Sequence, residues 1–190
     1  MRTTVCLVRH GETDWNLAGR VQGREDVGIN ETGRRQAMKT ANFLGREVWD
    51  GIFSSPLKRA LATAEIIGGQ LGMADIAILD DLMERDFGQA SGLTQAEIGE
   101  KFGGREFVEQ EPWDSFSIRA MRGLDSVVDG RVGQRLIVVS HGGLINAILL
   151  GLSQGKIGSG KTVLKNACIS MLGYQGEWVI ESYNQVHHLQ

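Results

Sequence analysis

Cysteine, proline and long hydrophobic runs are all scarce in this 190-residue sequence. The two cysteines, Cys6 and Cys168, are too few for a disulfide-stabilised secreted scaffold, and each lies in an apolar stretch typical of core thiols. The longest apolar run, Leu144 to Leu152, contains Asn146 and is far shorter than the roughly 18 residues that a membrane-spanning helix requires. The N-terminus has no apolar signal segment. We therefore expect a cytoplasmic protein that has no membrane partner.

An excess of one charge is also missing, because 20 basic and 23 acidic residues are spread along the chain and give a formal net charge of −3. Nucleic-acid-binding proteins carry a basic stripe or tail, so no nucleic-acid partner is expected. The composition, 42% hydrophobic and 23% charged, is typical of a globular protein, and the length predicts a single domain over residues 1–190. Glycine alone is abundant, with 26 residues, and indicates many tight turns.

Short apolar runs alternate with helical patterns along the chain. The expected strands are Thr3 to Val8, Asp50 to Ser54, Ile76 to Leu79 and Leu136 to Val139, followed by a hairpin of Cys168 to Leu172 with Trp178 to Tyr183. The expected helices begin after Asn30, at Ser54-Ser55-Pro56 with serine as the cap, near Thr94, at Asp114 and after Ser140-His141. This alternation predicts an α/β fold, a three-layer sandwich whose mostly parallel central sheet has helices on both faces. Ligands of such folds bind beyond the carboxyl ends of the strands.

Polar residues suited to an anion follow two of the predicted strands. His10 and His141 each close a strand and are each followed by glycine, so one sheet would bring both rings to the same rim. Arg9 adjoins His10, and Arg59 lies in the first turns of the helix after Pro56. Guanidinium groups bind phosphate oxygens in bidentate geometry, and helix N-termini add positive potential. The residues therefore favour a phosphate group as the ligand.

A mechanism for phosphoryl transfer follows from the same residue types. A neutral imidazole can attack phosphorus and form a phosphohistidine that water later hydrolyses. Asn16 joins the arginines and His141 as a donor to the phosphoryl oxygens. The leaving alkoxide needs a proton, and Glu84, which follows a strand, is a candidate acid. Three neighbouring acids remain alternatives: Asp80, Asp81 and Asp86. Neither a metal nor a cofactor is expected.

The stretch Leu7-Val8-Arg9-His10-Gly11-Glu12-Thr13-Asp14-Trp15-Asn16 resembles the signature of the histidine phosphatase superfamily, which includes the cofactor-dependent phosphoglycerate mutases. Three further stretches are similar to its other motifs, in the same order: Ser54 to Ala60, Leu82 to Gly88 and Ser140 to Gly143. The resemblance implies a phosphoglycerate mutase-like fold, with His10 as the phosphorylated nucleophile and Glu84 as the proton donor. It also implies a phosphate pocket of Arg9, Arg59, His141 and Asn16. Positions that bind substrate in the family correspond to Gln22, Gly23, Arg85 and Gly142.

Departures from the mutases favour a phosphatase. This chain has Gln95 where mutases carry a lysine, and Lys101 to Asp114 is short, with Arg105 as its one arginine, where mutases have an insertion with paired arginines. We therefore expect a metal-independent phosphomonoesterase, similar to broad-specificity bacterial members, that acts on small phosphorylated metabolites through a phosphohistidine intermediate. The alternative is a 2,3-bisphosphoglycerate-dependent phosphoglycerate mutase. Selectivity is expected to reside in a lid at about residues 85–113, whereas Phe87 is expected to pack in the core.

Two other motifs point to different classes of enzyme. Gly155 to Thr162 matches the P-loop pattern G-x-x-x-x-G-K-[ST] of NTPases, but it follows a predicted helix, whereas a P-loop follows a strand. Gly151 to Gly155 matches the G-x-S-x-G pattern of serine hydrolases and fails the same test. A non-catalytic phosphate-sensing module would lack His10, Glu84 or His141, and none is missing. The oligomeric state leaves no sign in the sequence.

Overall fold

A six-stranded sheet forms the centre of the molecule. The structure is a computed structural model that describes residues 1–103 and 109–190. In chain order the strands are β1 (Thr3–Arg9), β2 (Gly51–Ser54), β3 (Ile76–Ile78), β4 (Arg135–Ser140), β5 (Ile169–Tyr174) and β6 (Trp178–Gln185). Their order across the sheet is β3-β2-β4-β1-β5-β6. The first four strands run parallel, whereas β5 and β6 are antiparallel to their neighbours. The predicted mostly parallel sheet and the late hairpin are both confirmed.

Helices cover both faces of the sheet, as predicted. They are α1 (Asp14–Leu17), α2 (Glu31–Leu44), α3 (Lys58–Leu71), α4 (Gln95–Phe102), α5 (Trp113–Val128) and α6 (Gly142–Leu152). Alternate side chains of β1 separate the two layers, because Val5 and Leu7 pack in a core with α5 and α6 while Cys6 and Val8 pack in a core with α2 and α3. Among the described residues, no helix is long and apolar enough to cross a membrane.

The two cysteines are core side chains, as expected from their apolar surroundings. Cys6 and Cys168 are both free thiols and both buried. Burial raises the pKa of the Cys168 thiol to about 11, so this thiol stays protonated at neutral pH. Burial raises the pKa of Cys6 further still. Neither cysteine is therefore in the thiolate form that nucleophilic or metal-binding cysteines need.

The helix that carries Arg59 begins differently from the prediction. A serine cap was expected at Ser54-Ser55-Pro56, but α3 starts at Lys58, and its N-cap residue Leu57 makes no side-chain capping bond. Both serines are completely buried. The Ser55 hydroxyl lies 2.7 Å from Nε2 of His141 and is therefore used between two elements of the site. By contrast, the predicted cap Asn30 is confirmed, since its Oδ1 accepts a hydrogen bond from Gly33 N at 2.9 Å.

A close approach between two glycines places the segment after β1. A Cβ atom on Gly11 would lie 2.5 Å from the carbonyl oxygen of Gly33, and a Cβ atom on Gly33 would collide with the backbone of Glu12. Only glycine therefore lets the segment after β1 lie against the first turn of α2. The Gly11 N–H donates to Thr63 Oγ1 on α3 at 3.0 Å. This packing fixes the backbone on which His10 is carried.

Candidate active site

A cavity of about 330 Å³ opens at the carboxyl ends of β1 and β4. The predicted site residues that line it are Arg9, His10, Asn16, Gln22, Gly23, Arg59, Glu84 and Gly142. A larger groove, of about 990 Å³, lies beside β6 and is lined by none of the predicted site residues. The smaller cavity is the candidate active site because charged and titratable side chains converge there.

His10 presents a free ring nitrogen to this cavity. The residue follows β1 and is only 3% exposed. Its Nδ1 lies 2.7 Å from the carbonyl oxygen of Gly11, and since a carbonyl only accepts, Nδ1 carries the ring proton. Burial, and then the positive charges of Arg9 and Arg59, hold the pKa of His10 well below its usual value. The ring is therefore neutral at pH 7, and Nε2 keeps the lone pair that a nucleophile requires.

His141 lies beside His10, as the strand-end pattern predicts. It occupies the N-cap position of α6, is completely buried, and has its ring centroid 5.3 Å from that of His10. Burial, followed by the positive charge of Arg59, lowers the pKa of His141 well below its usual value. Its Nε2 contacts the Ser55 hydroxyl at 2.7 Å, while its Nδ1 has no hydrogen-bond partner within the described residues.

Two arginines, the buried Arg59 and the half-buried Arg9, supply the positive charge of the cavity. Arg59 is only 1% exposed, and its Nη atoms donate to the carbonyl oxygens of Gly23 at 2.6 Å and Glu25 at 2.7 Å. Arg9 Nη1 donates to the Leu164 carbonyl at 2.5 Å. Burial lowers the pKa of Arg59 to about 10, which leaves the group protonated at neutral pH. In the described part of the chain neither arginine is in an ion pair within 4.0 Å, and the Nε atom of each is buried without a partner. An anion bound in the cavity would offset this uncompensated charge.

Glu84 is the acid that faces the cavity. Its Oε1 accepts a hydrogen bond from Arg85 N at 2.9 Å and its Oε2 accepts one from Gly143 N at 2.8 Å. A Cβ atom on Gly143 would collide with this carboxylate, so the glycine leaves room for the carboxylate in this position. The three aspartates that were left as alternatives, Asp80, Asp81 and Asp86, do not line the cavity.

Three of the predicted substrate-binding residues have side chains or conformations that suit the role. Asn16 is fixed by the capping bond of its backbone N–H to Thr13 Oγ1 at 3.0 Å and by the Asn166 Nδ2 group, which donates to its Oδ1 at 3.0 Å. Gln22 is only 8% exposed, and its Oε1 has no hydrogen-bond partner among the described residues. Gly23 adopts a φ of +51°, in the left-handed region that favours glycine.

Arg85 is the predicted substrate-binding residue that points elsewhere. It does not line the cavity. Its Nε donates to the Glu111 carbonyl at 2.9 Å, and its guanidinium carbon lies 5.7 Å from the ring centroids of both Phe87 and Trp113. Direct contact of Arg85 with substrate therefore has no support from the cavity geometry and stays a prediction. Arg105, which entered the distinction from mutases, lies outside the described residues.

Other residues of the site were not found from the sequence. Phe87 was expected in the core but lines the cavity, together with Arg20, Asn146 and the segment Thr162 to Leu164. Asn166 Nδ2 donates to the His10 carbonyl at 3.2 Å, and Ser55 contacts His141. No local sequence pattern predicts these contacts, because each contact joins positions that are far apart in the chain.

The two rival motifs lack the structure that their chemistry requires. The segment 155–162 follows helix α6, and no helix begins at its lysine. Lys161 donates through Nζ to the Gly155 carbonyl of its own loop. Ser153 of the G-x-S-x-G match is the C-cap of α6, so no strand precedes it. No group of three histidine, cysteine, aspartate or glutamate residues that could hold a metal ion occurs in residues 1–103 and 109–190.

The fold and the cavity together define an enzyme of phosphate monoesters with a histidine nucleophile. A neutral histidine, a carboxyl group and the guanidinium groups of Arg9 and Arg59 line one cavity at the carboxyl end of a mostly parallel sheet. The chain belongs to the histidine phosphatase superfamily (branch 1), whose family model matches residues 5–186.

Individual relatives agree with this class. The chain is 40% identical over 188 residues to "Uncharacterized phosphatase PhoE" of Bacillus subtilis, covering 98% of this chain and 97% of the relative. It is 36% identical over 201 residues to a metal-independent phosphoserine phosphatase of Arabidopsis thaliana, covering 98% and 83%. A mutant phosphoserine phosphatase of Entamoeba histolytica, solved in complex with phosphoserine, superimposes with a TM-score of 0.85 at 29% identity, covering 99% and 100%. The predicted fold, family and enzyme class, a phosphoric monoester hydrolase, are confirmed.

The mutase alternative has weaker support. A 2,3-bisphosphoglycerate-dependent phosphoglycerate mutase of Cytophaga hutchinsonii is 30% identical over 165 residues and covers 79% of this chain and 77% of the relative. Both this identity and these shares are lower than those of the two phosphatases. The phosphatase assignment therefore stands ahead of the mutase.

Proposed function

We propose that the chain hydrolyses small phosphorylated metabolites without a metal, with His10 as nucleophile and Glu84 as general acid. The observation that carries the proposal is the state of His10, whose Nε2 is unprotonated and lies in a cavity with the guanidinium groups of Arg9 and Arg59. Arg9, Arg59, His141 and Asn16 form the phosphate pocket in this proposal, and Gln22, Gly23 and the Gly142 backbone join them in binding substrate.

The first half of the reaction transfers the phosphoryl group to the enzyme. The lone pair of His10 Nε2 attacks phosphorus, the N–P bond forms and the bond from phosphorus to the ester oxygen breaks. Arg9 and Arg59 hold the phosphoryl oxygens and stabilise the charge that spreads over them in the transition state. Glu84 gives its proton to the leaving oxygen, so the product departs as an alcohol rather than as an alkoxide.

The second half returns the enzyme to its starting state. The Glu84 carboxylate, now deprotonated, takes a proton from a water molecule as that water attacks phosphorus. The P–N bond breaks, inorganic phosphate forms and the electron pair returns to His10 Nε2. No step requires a metal ion or an organic cofactor, because the arginines supply the positive charge and the histidine supplies the nucleophile.

The substrate is proposed to be a small metabolite because the cavity holds only about 330 Å³. Serine phosphate is the first compound to test, since the phosphatases of Arabidopsis thaliana and Entamoeba histolytica that resemble this chain are named for phosphoserine. In this proposal the chain is one cytoplasmic domain over residues 1–190 that binds neither nucleic acid nor membranes, and residues 85–113 form the lid that selects the leaving group.

Turnover assays with excess EDTA test the proposal. p-Nitrophenyl phosphate, serine phosphate and 3-phosphoglycerate are assayed in parallel, with and without 2,3-bisphosphoglycerate, and both free phosphate and 2-phosphoglycerate are measured. Release of phosphate without formation of 2-phosphoglycerate is expected. Rapid isomerisation that depends on the bisphosphate would replace the phosphatase by the mutase, and loss of all turnover in EDTA would exclude the metal-independent mechanism.

The role of Glu84 is tested separately with Glu84→Gln. A general acid matters most when the leaving group is a poor one, so serine phosphate turnover is expected to fall by roughly 100-fold or more. Hydrolysis of p-nitrophenyl phosphate, whose leaving group departs without a proton, is expected to fall much less. Equal slowing of both esters would remove Glu84 from the role of acid.

A further inference from the structure

Arg119, on the inner face of α5, is a buried arginine outside the catalytic cavity. It is only 9% exposed. Its side chain makes five hydrogen bonds, which use all the N–H donors that a guanidinium has. Arginines are seldom buried unless their charge is paired, so the partners of this group indicate what it does.

Three of these bonds go to the backbone that leads to Glu84. Nη1 donates to the carbonyl oxygens of Asp81 at 3.0 Å and Met83 at 2.8 Å, and Nη2 donates to that of Glu84 at 3.2 Å. The segment after Leu82 belongs to no strand or helix, so its carbonyl groups need donors from outside the segment. Arg119 is the side chain that supplies them, together with Ser140 Oγ, which donates to the Leu82 carbonyl at 2.8 Å.

The other two bonds join Arg119 to the end of the proposed lid. Nε and Nη2 bind the two carboxylate oxygens of Glu111 at 2.8 and 2.7 Å. Burial opposes the ionised form of Glu111, but the hydrogen bond and charge of Arg119 outweigh it and hold the pKa of Glu111 below its usual value. The backbone carbonyl of Glu111 in turn accepts a hydrogen bond from Arg85 Nε at 2.9 Å. One guanidinium therefore links the residues on both sides of Glu84.

We propose that Arg119 is a positioning residue for the general acid. It holds the backbone from Asp81 to Glu84 so that the carboxyl group faces the leaving oxygen, and it does so without touching substrate. The inference rests on the proposed role of Glu84. A loss of this alignment should mimic the loss of the acid, because a proton donor displaced by about an ångström no longer reaches the leaving oxygen.

The test compares Arg119→Met with Arg122→Met, a matched control on the same helix. Arg122 also binds Asp81, but through the exposed carboxylate, at 2.6 Å. Arg119→Met is expected to lower kcat for serine phosphate at least about tenfold more than kcat for p-nitrophenyl phosphate, whereas Arg122→Met should change both by less than about twofold. The double variant Glu84→Gln with Arg119→Met should turn over serine phosphate within about threefold of the rate of Glu84→Gln alone, because the acid is already absent from both.

Several results would overturn the inference. Equal slowing of both esters by Arg119→Met would mean a purely structural role, and full additivity with Glu84→Gln would mean that the two residues act separately. If Glu84→Gln itself failed to discriminate the esters, the proposed acid role of Glu84 would fail instead, so the two failures are distinguishable. Should Arg119→Met yield no folded protein, Arg119→Lys decides: it keeps the charge but lacks the fork that reaches all five acceptors, and wild-type ester selectivity in this variant would contradict the proposal.

Discussion

The phosphate pocket and the proposed lid are held in place by different forces. Four residues of the pocket are each at most 3% exposed and are hydrogen-bonded to the backbone or to one another: His10, His141, Arg59 and Ser55. In residues 85–113, Ala90 is the one residue in the described part that is buried, and α4 has none. Burial therefore fixes the groups that react with phosphate.

The lid instead depends on polar contacts. Arg20 joins it to the segment after α1 through Glu97 Oε2 at 3.0 Å and the Gly92 carbonyl at 2.6 Å, and Arg119 joins its far end through Glu111. Exposed ion pairs are screened by solvent and contribute little to stability. Substitutions that change the chemistry or packing of the pocket should consequently lower kcat. Substitutions in the lid should mainly change KM, through substrate binding.

The largest effect is expected at the nucleophile. His10→Ala should lower turnover of p-nitrophenyl phosphate by on the order of 10⁴-fold or more, because His10 is the one histidine among the described residues that lines the cavity. Lys161→Ala is the control for the P-loop alternative and should leave turnover within about twofold of wild type, since the Lys161 ammonium group donates to the Gly155 carbonyl of its own loop. Full activity of His10→Ala with loss of activity in Lys161→Ala would reverse the assignment.

A smaller loss is expected where the backbone touches the acid. Gly143→Ala places a methyl group against the Glu84 carboxylate and should lower kcat for serine phosphate by roughly 100-fold. Gly151→Ala is a matched control in the same helix, because its methyl group would meet only Met121 Sδ at 3.8 Å, an ordinary contact. If both variants behaved alike, the contact between Gly143 and Glu84 would not matter for the reaction.

The buried histidines should make the folded state sensitive to acid. The pKa of His141 is lowered from its usual 6.5, so below about pH 6.5 the unfolded chain binds a proton that the folded chain does not. Each such histidine leaves the free energy of unfolding unchanged above this pH. Below it, each lowers the free energy of unfolding by about 1.4 kcal/mol per pH unit. Urea unfolding at about pH 7.5 and about pH 5.5 measures the loss, which should be about 1.4 kcal/mol smaller in His141→Gln. An unchanged loss in that variant would mean that His141 is protonated in the folded protein.

The smallest effect is expected in the lid. The Glu97 carboxylate binds Arg20 and also forms the capping box with Thr94, and Glu97→Ala removes both interactions. KM for serine phosphate should rise up to about threefold, while kcat for p-nitrophenyl phosphate should stay within about twofold of wild type. Steady-state kinetics of both esters separate the two constants. A fall in kcat with unchanged KM would show that the lid, like the pocket, takes part in the chemistry.

Local sequence was sufficient to predict the elements and the residues at their ends. Strand β1 ends at Arg9 and strand β4 ends at Ser140, each one residue before a histidine, because runs of β-branched and apolar residues stop abruptly at Arg-His-Gly and Ser-His-Gly. The cap at Asn30 was predictable for a similar reason, since its side chain binds a backbone group three residues away. The predicted serine cap is wrong because α3 begins only at Lys58. The Ser55 hydroxyl accepts a hydrogen bond from Leu57 N at 3.3 Å, ahead of the helix, and contacts His141, which is 86 positions away in the chain.

The chemical groups at the rim of the sheet could be named from the sequence, because strand ends and helix starts are local properties. Folding was needed to establish which nitrogen of His10 is free, that Glu84 rather than a neighbouring aspartate faces the cavity, and that Arg85 turns toward Glu111. It also brought Arg119 against the backbone of Glu84, 35 positions away. These outcomes depend on burial and on contacts between distant segments, and both exist only once the chain has folded.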